Sequence, residues 1–237
     1  MPVDVWFPLA IYYADLPGAA EHKERLQSAI QASHKASPRR HHPDAAWTGD
    51  IHSVATAHLD PAFEWLTEQV EHHAAQYLLA LGHDPSLVDL YIQRAWPVVS
   101  EPGQAITMHW HPTAHISAAY YVSVPSTGSA GRIRFLNQHR PNELSPQAST
   151  ANTKIYAAWN HLNYHSAAYQ PMEGRLLLFP AKQQHDVEKN DSDGTRISLS
   201  YDMVLVARED ADPGSHEYVT PPLRQWRLCK RPVGVGE

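Results

Sequence analysis

The sequence is poor in the features that mark several large classes of protein. It has one cysteine, Cys229, in 237 residues, which excludes an internal disulfide and suits a reducing compartment. The net charge is −6, and an acidic chain does not favour a nucleic-acid partner, because phosphate binding needs a basic surface. The apolar residues 3–14 carry Asp4 and Pro8 and lack a basic start, and no later run is long enough to span a membrane. These absences predict a cytoplasmic protein that binds neither nucleic acid nor membrane.

The composition is that of a folded chain. Hydrophobic residues make up 43% and charged residues 19% of the sequence, which is typical of globular rather than disordered proteins. We predict one domain over residues 1–237, because the length suits one substantial core and no linker or repeat divides it. Within it we expect a helical N-terminal support at 1–88, a β core at 89–207 and a tail at 208–237. A homo-oligomer is compatible with the sequence, which does not set the oligomeric state.

Two segments near the N-terminus have helical periodicity. Residues 21–33 place apolar side chains on one face. Residues 61–81 do so more clearly, and they follow Asp60, a good capping residue, with Pro61 in the first turn. Gly82 is a natural stop. We therefore predict two helices that pack on one face of a sheet.

From Asp89 onward the periodicity is that of β-strands. Short β-prone runs alternate with turn signals, which is typical of antiparallel double-sheet proteins. Further strands are predicted at 5–13, at 91–100 with an interruption by Pro97, and at 196–207. The fold class expected is mainly β: a cupin-like double-stranded β-helix, or jelly roll, with the N-terminal helices packed on one sheet.

The stretch 104–124 carries two histidines with one residue between them. Alternate side chains of a strand share a face, so His109 and His111 should point the same way and can bind one metal ion. A third ligand must then come from elsewhere in the fold, and the best candidate is His185. The alternative is that these histidines are ordinary polar strand residues, since a motif match is only a hypothesis.

Two neighbouring residues are alternative ligands. Asp186 follows His185 directly, so in a strand it faces the other way, and it can replace His111 only if the backbone bends there. His115 lies just past Pro112, which breaks the alternation and leaves its direction open. His115 is also a candidate substrate contact.

Three motifs, in order, resemble those of the bacterial 2-oxoglutarate/Fe(II) oxygenases with an HxHP motif. That family reads roughly HxHPxxxxSGxYYV, then GxLxxFPxxxxHxV, then RxSxxFN. The matching residues are His109, His111, Pro112, Ser117, Tyr120, Tyr121, Val122, Gly174, Leu176, Phe179, Pro180, His185, Val187, Arg196 and Ser198. Ala118 stands where glycine is usual, and Tyr201 and Asp202 stand where Phe-Asn is usual. The resemblance covers about residues 90–206, and the order of the motifs makes it fairly specific.

The resemblance implies Fe(II) and 2-oxoglutarate as cofactors. The iron ligands would be His109, His111 and His185, with His111 where an Asp or Glu is usual. Such a set neutralises less of the metal's charge than two histidines and a carboxylate do. No catalytic residue beyond the metal site is expected.

The same resemblance assigns the cosubstrate contacts. Arg196 and Ser198 would hold the far carboxylate of 2-oxoglutarate, since a guanidinium forms two parallel hydrogen bonds with a carboxylate. The alternative is an arginine in a surface ion pair. Tyr121 is expected to contact the cosubstrate and Tyr120 the substrate, although only one of two adjacent residues can face the pocket.

The expected activity is that of a non-haem iron dioxygenase that oxidises a C–H bond, usually by hydroxylation, of a small molecule or amino-acid-like metabolite. The polar insert at 137–173 is a candidate substrate lid. Two alternatives remain. A three-histidine cupin-type metal dioxygenase would not need 2-oxoglutarate or the Arg-x-Ser pair. A non-enzymatic jelly-roll binding protein would bind no metal tightly.

Overall fold

The computed structural model describes residues 2–37, 42–147, 155–212, 214 and 218–229, and within them ten strands and two α-helices form a mainly β architecture, as the sequence predicts. The strands are β1 Tyr12–Asp15, β2 Trp47–Thr48, β3 Val88–Ser100, β4 Ile106–His109, β5 Ile116–Ser123, β6 Ile133–Leu136, β7 Ser166–Tyr169, β8 Arg175–Pro180, β9 His185–Val187 and β10 Arg196–Ala207. The helices are α1 Ala19–Ala36 and α2 Glu64–Ala80.

The strands form two antiparallel sheets. The large sheet has the order β1-β8-β5-β10-β3-β2 and the small sheet the order β4-β9-β6-β7. The N-terminal segment 1–88 thus supplies both edge strands of the large sheet as well as the helices. The main apolar core packs the helices against the large sheet. A second, smaller apolar cluster lies between the two sheets and consists of Tyr121, Ile133, Phe135, Leu177 and Phe179.

The last strand, β10, shows how alternation sorts the large sheet into two faces. Ile197, Leu199 and Tyr201 belong to the main core with the helices. Arg196 and Ser198 point the other way and line a cavity between the sheets. Because successive side chains of a strand face opposite sides, one strand serves both the packing of the helices and the cavity.

The two helices lie where the sequence predicts and cover one face of the large sheet. α1 buries Leu26 and Ile30 in the same cluster as the inward residues of β10. α2 follows a 3-10 turn, Pro61–Phe63, in which the Asp60 side chain accepts a hydrogen bond from the Ala62 N–H at 2.8 Å. No helix in the described part of the chain is long and apolar enough to cross a membrane.

The predicted strand at 5–13 is wrong in position. The strand that forms is β1, Tyr12–Asp15, which pairs only with the edge of β8. Trp6 and Phe7 before it are exposed, Phe7 to 98%. An apolar run becomes a strand only where a partner strand lies beside it, and this one extends past the end of β8.

Pro97 does not interrupt its strand, contrary to the prediction. β3 runs from Val88 to Ser100, and the Pro97 carbonyl accepts a hydrogen bond from the Gly49 N–H at 2.8 Å. The N and O of a strand residue point the same way, so the missing N–H of Pro97 faces the short edge strand β2 and not β10. Proline is tolerated on that side, because little of the ladder is lost.

Candidate metal centre

Three histidines meet where β4 and β9 pair. His109, the last residue of β4, lies directly opposite His185, the first residue of β9. Their ring centroids are 4.3 Å apart, and His111 lies 5.2 Å from His109 and 5.3 Å from His185. One ligand nitrogen from each of the three can be chosen so that all lie within 4.8 Å of one another. The fold therefore brings the three predicted metal ligands together.

His111 reaches this cluster by a route that the sequence did not predict. β4 ends at His109, so strand alternation does not align the two histidines. His111 lies in the following loop, where its backbone N–H donates to the Ala181 carbonyl at 2.9 Å. Its ring is buried and stacks at 25° to that of His109.

Hydrogen bonds at Nδ1 set the tautomers of two of these rings. His109 Nδ1 lies 2.8 Å from the Thr107 carbonyl oxygen, and His185 Nδ1 lies 2.9 Å from that of Gln183. A carbonyl oxygen only accepts hydrogen bonds, so Nδ1 must be the protonated nitrogen in both rings. In the neutral rings, the lone pair at Nε2 is thus free to bind a metal.

The third ring, His111, donates to a carboxylate instead. Its Nδ1 lies 2.5 Å from Asp202 Oδ1, which also accepts from Ser117 Oγ at 2.6 Å. Arg94 donates from Nε to the other oxygen, Oδ2, at 2.8 Å. Burial raises the pKa of Asp202, but these hydrogen bonds and the Arg94 charge outweigh it and hold the pKa below its usual value. Sequence reasoning missed Asp202, although its departure from the usual asparagine was a signal.

The electrostatic surroundings keep two of the rings neutral. Burial, with a further contribution from the neighbouring His109, lowers the pKa of His185 to about 3. Burial likewise lowers the pKa of His109. Imidazole binds metal only in its neutral form, so these groups are ready ligands near neutral pH. Three neutral imidazole nitrogens fit Fe(II) and other first-row divalent ions.

Asp186, the alternative carboxylate ligand, is engaged elsewhere. Both of its oxygens accept hydrogen bonds from Arg134 on β6, at 2.8 and 2.6 Å. Asp186 lies beside His185 in β9, yet the candidate metal cluster found among the described residues contains only the three histidines.

Arg196 is a buried cation with no negative partner among the residues that the structure describes. It is 1% exposed, and its Nη1 donates to the carbonyls of Ala130 and Gly131 at 2.8 and 3.0 Å. Its Nε is buried without a hydrogen-bond partner, and no carboxylate among the described residues pairs with it. Burial lowers the pKa of its guanidinium. Because a buried uncompensated charge is costly, this group suits an anionic ligand such as a carboxylate.

The other predicted contacts separate into two groups. Ser198 and Tyr121 lie opposite each other across β10 and β5, and both line the cavity; burial raises the pKa of the Tyr121 hydroxyl to about 12. Tyr120 faces the helices in the main core. The Nδ1 of His115 accepts a hydrogen bond from the Leu205 N–H at 2.8 Å. The structure does not bring Tyr120 or His115 to the cavity.

The cavity has a volume of about 360 Å³ and takes its walls from both sheets. Besides the histidines, Arg196, Ser198 and Tyr121, its lining includes Thr48, Asp50, Ile51, Arg94, Trp96 and Trp110. The Arg94 guanidinium lies over the Trp96 ring, 4.7 Å from its centroid. Asp50 Oδ1 is buried and has no hydrogen-bond partner among the described residues.

A family model described as "Putative 2OG-Fe(II) oxygenase" matches residues 94–202. This range contains the three histidines, Arg196 and Asp202. No curated protein matches the sequence at a significant level.

Several solved structures resemble this one. The non-heme alpha ketoglutarate dependent carbocyclase SnoK from nogalamycin biosynthesis has a TM-score of 0.56 and 12% identity, covering 90% of this chain and 88% of that one. The epimerase SnoN, in complex with Fe3+, alpha ketoglutarate and nogalamycin RO, has a TM-score of 0.53 and 16% identity, covering 86% and 84%. A Pseudomonas putida prolyl-4-hydroxylase has a TM-score of 0.52 and 13% identity, covering 82% and 92%. At these identities the likeness shows the fold, and the predicted jelly roll is confirmed.

Proposed function

We propose that this chain is a 2OG-Fe(II) oxygenase, the family whose model matches residues 94–202, and that it oxidises a C–H bond of a small, amino-acid-like molecule bound in its cavity. The observation that carries the proposal is that two features of such a site line the same cavity. Three histidine rings and the buried, uncompensated Arg196 line the same space.

We assign the metal to the three histidines. His109, His111 and His185 would hold Fe(II) through Nε2, because Nδ1 of each ring is taken up by a hydrogen bond to an oxygen. Bound Fe(II) and 2-oxoglutarate together supply the oxidising chemistry, in which O₂ is consumed and 2-oxoglutarate is converted to succinate and CO₂. The protein's contribution is to fix the ring directions, so that the ligands need little rearrangement when the metal binds.

The cosubstrate site that we propose is centred on Arg196. Its guanidinium would pair with the carboxylate of 2-oxoglutarate that is remote from the metal, and Ser198 on the same face of β10 would add a hydroxyl. Tyr121, which lies opposite Ser198 in the strand register, would contribute a second hydroxyl. An anion at this position would neutralise the buried cation, which supports 2-oxoglutarate as the ligand.

The remaining lining points to the class of substrate. Asp50 presents a buried carboxylate oxygen that lacks a donor in the described part of the chain, so an ammonium or N–H group of the substrate would satisfy it. Trp110, which is exposed, lines the same cavity and offers an apolar ring surface. A cavity of about 360 Å³ is in the range of small-molecule sites. These features together favour a compact, amine-bearing substrate.

The first experiment is an anaerobic titration of metal-free protein with Fe(II) and then with 2-oxoglutarate. We expect a visible absorption band that appears only when both are present. A protein that binds Fe(II) without this band, and consumes O₂ without 2-oxoglutarate, would be a cupin-type dioxygenase instead. A protein that binds no metal tightly would be a binding module.

The second experiment screens small molecules for stimulated release of succinate, using matched pairs of a free amine and its N-acetyl derivative. We expect the free amines to be preferred in wild type. Asp50→Asn should reduce that preference without changing the absorption band, whereas the exposed Asp191→Asn should behave as wild type. Equal stimulation by both members of every active pair would rule out the proposed role of Asp50.

A further inference from the structure

We infer that Asp202 is a positioning residue that supplies, from behind His111, the negative charge that the three-histidine ligand set lacks. This inference rests on the proposed metal site. It goes beyond that site because it assigns a role to a residue that lies outside the ligand set.

The hydrogen bonds behind the three rings are not equivalent. His109 and His185 donate from Nδ1 to neutral backbone carbonyls, at 2.8 and 2.9 Å. His111 donates to the Asp202 carboxylate, at the shorter distance of 2.5 Å. Hydrogen bonds to an ionised acceptor are shorter and about twice as strong as neutral ones. The charged support therefore occurs at only one of the three rings.

Burial and hydrogen bonds hold Asp202 in this position. It is fully buried on β10 and lies opposite Ser117 of β5 in the strand register. Its Oδ1 accepts hydrogen bonds from His111 and Ser117, and its Oδ2 accepts one from Arg94, so the two oxygens have different donors. Arg94 keeps the carboxylate from being an uncompensated buried charge when no metal is present.

The chemical consequence concerns the metal's charge. Three neutral imidazoles leave a divalent ion's full charge uncompensated by its direct ligands. A carboxylate on the far nitrogen of His111 offsets part of that charge and increases the electron donation of the ring. It also fixes His111 in the tautomer that leaves Nε2 free. Asp202 thus supplies, through its hydrogen bond to His111, the negative charge that the carboxylate ligand of a two-histidine set would provide directly.

A double-mutant cycle tests this inference, with Co(II) as the metal probe and metal-free protein throughout. Asp202→Asn keeps the shape and an acceptor oxygen but removes the charge. We expect it to weaken Co(II) binding on the order of tenfold, and to have less than about a twofold effect when His111 is already replaced by alanine. An equal effect in both backgrounds would show that Asp202 does not act through His111.

Asp186→Asn is the matched control, because it removes a carboxylate beside His185 that is bonded to an arginine and not to a histidine. It should change Co(II) affinity much less than Asp202→Asn. Equal losses in the two variants would mean that the effect is only a through-space one and would overturn the inference. Failure of the wild type to bind Co(II) would contradict the proposed metal site. Unchanged Co(II) binding by Asp202→Asn would contradict only the role given to Asp202.

A measurement on wild type tests the same inference without relying on correct folding of the Asp202 variant. Nitrogen-15 spectra of the histidines in the Zn(II)-loaded protein should show His111 protonated at Nδ1, with its proton further downfield than those of His109 and His185. The His111 signal is identified by its absence from His111→Ala. A His111 ring protonated at Nε2, or a proton no further downfield than the others, would contradict the role given to Asp202.

Discussion

His109 and His185 occupy directly opposite positions on β4 and β9, with 4.3 Å between their ring centroids. The candidate metal site is therefore built on a strand register. A slip of one residue would turn one of the two rings to the other face of the sheet. His111 is the exception, because it lies beyond the strand and depends on Asp202 for its direction.

Replacement of His111 should show this dependence. His111→Ala should lose most of the iron. Considered from the ligand set alone, His111→Asp is expected to keep iron, since it restores the commoner set of two histidines and a carboxylate. The structure changes that expectation, because the new carboxylate would lie beside Asp202, and two neighbouring carboxylates disfavour each other's charge. We now expect His111→Asp to bind iron weakly and His111→Asp/Asp202→Asn to bind it better, as measured by metal analysis after dialysis. Tighter binding by the single variant would contradict this.

Arg196→Met should separate cosubstrate binding from metal binding. The methionine fills similar space but cannot pair with a carboxylate, so we expect 2-oxoglutarate affinity to fall about a hundredfold, in line with the loss of one partner from a buried charged pair. Co(II) affinity should stay within about twofold, because among the described residues Arg196 donates to backbone carbonyls and not to a histidine. Arg175→Met, which breaks an ion pair with the exposed Asp15, is the control and should leave both affinities unchanged. Parallel loss of both affinities in Arg196→Met would show that the arginine's role is misassigned.

The stability of the metal-free protein should depend on pH through His185. Its pKa is about 3 in the folded state and about 6.5 in an unfolded chain. Between these values the unfolded chain takes up a proton that the folded protein does not. The free energy of unfolding therefore has its full value above about pH 6.5. It decreases as the pH falls towards 3, by at most about 1.4 kcal/mol per pH unit.

Urea unfolding at pH 7.5, 6.5 and 5.5 measures this dependence. The free energy of unfolding should fall more steeply with decreasing pH in wild type than in His185→Gln. Replacement of the exposed His83 by glutamine should leave the wild-type slope unchanged. Equal slopes in wild type and His185→Gln would show that burial of His185 is not responsible.

Gly131 should be essential to the position of Arg196. Its φ is +81°, and an added Cβ would lie 2.2 Å from the Glu188 carbonyl oxygen and 3.0 Å from Arg196 Nη1. Gly82 has the same φ of +81° but open space around it. Gly82→Ala should therefore cost only the left-handed strain, about 1–2 kcal/mol. Gly131→Ala should cost more than this and should also weaken 2-oxoglutarate binding. The test is thermal unfolding together with cosubstrate titration, and similar results for the two variants would refute the steric argument.

The sequence by itself determined the local and periodic features of this protein. Helical spacing predicted α1 and α2, and a β-prone run predicted the strand at 196–207. The order of the motifs identified His109, His111 and His185 as a set. The helices and strands depend on residues near one another in the chain, and their periods of 3.6 and 2 can be read without knowledge of the fold. The histidine set instead follows from the resemblance of the ordered motifs to a known family.

Only the tertiary structure decided which distant groups meet. Asp202 lies 91 positions from His111 in the chain, and their hydrogen bond exists because β10 pairs with β5 and the loop after β4 turns the ring inward. The same holds for Tyr120 and Tyr121, whose facing follows from the side of the large sheet that the helices cover. It also holds for β1, which forms only where β8 offers an edge. Sheet pairing is non-local, so the partner of a buried polar group cannot be read from its own segment.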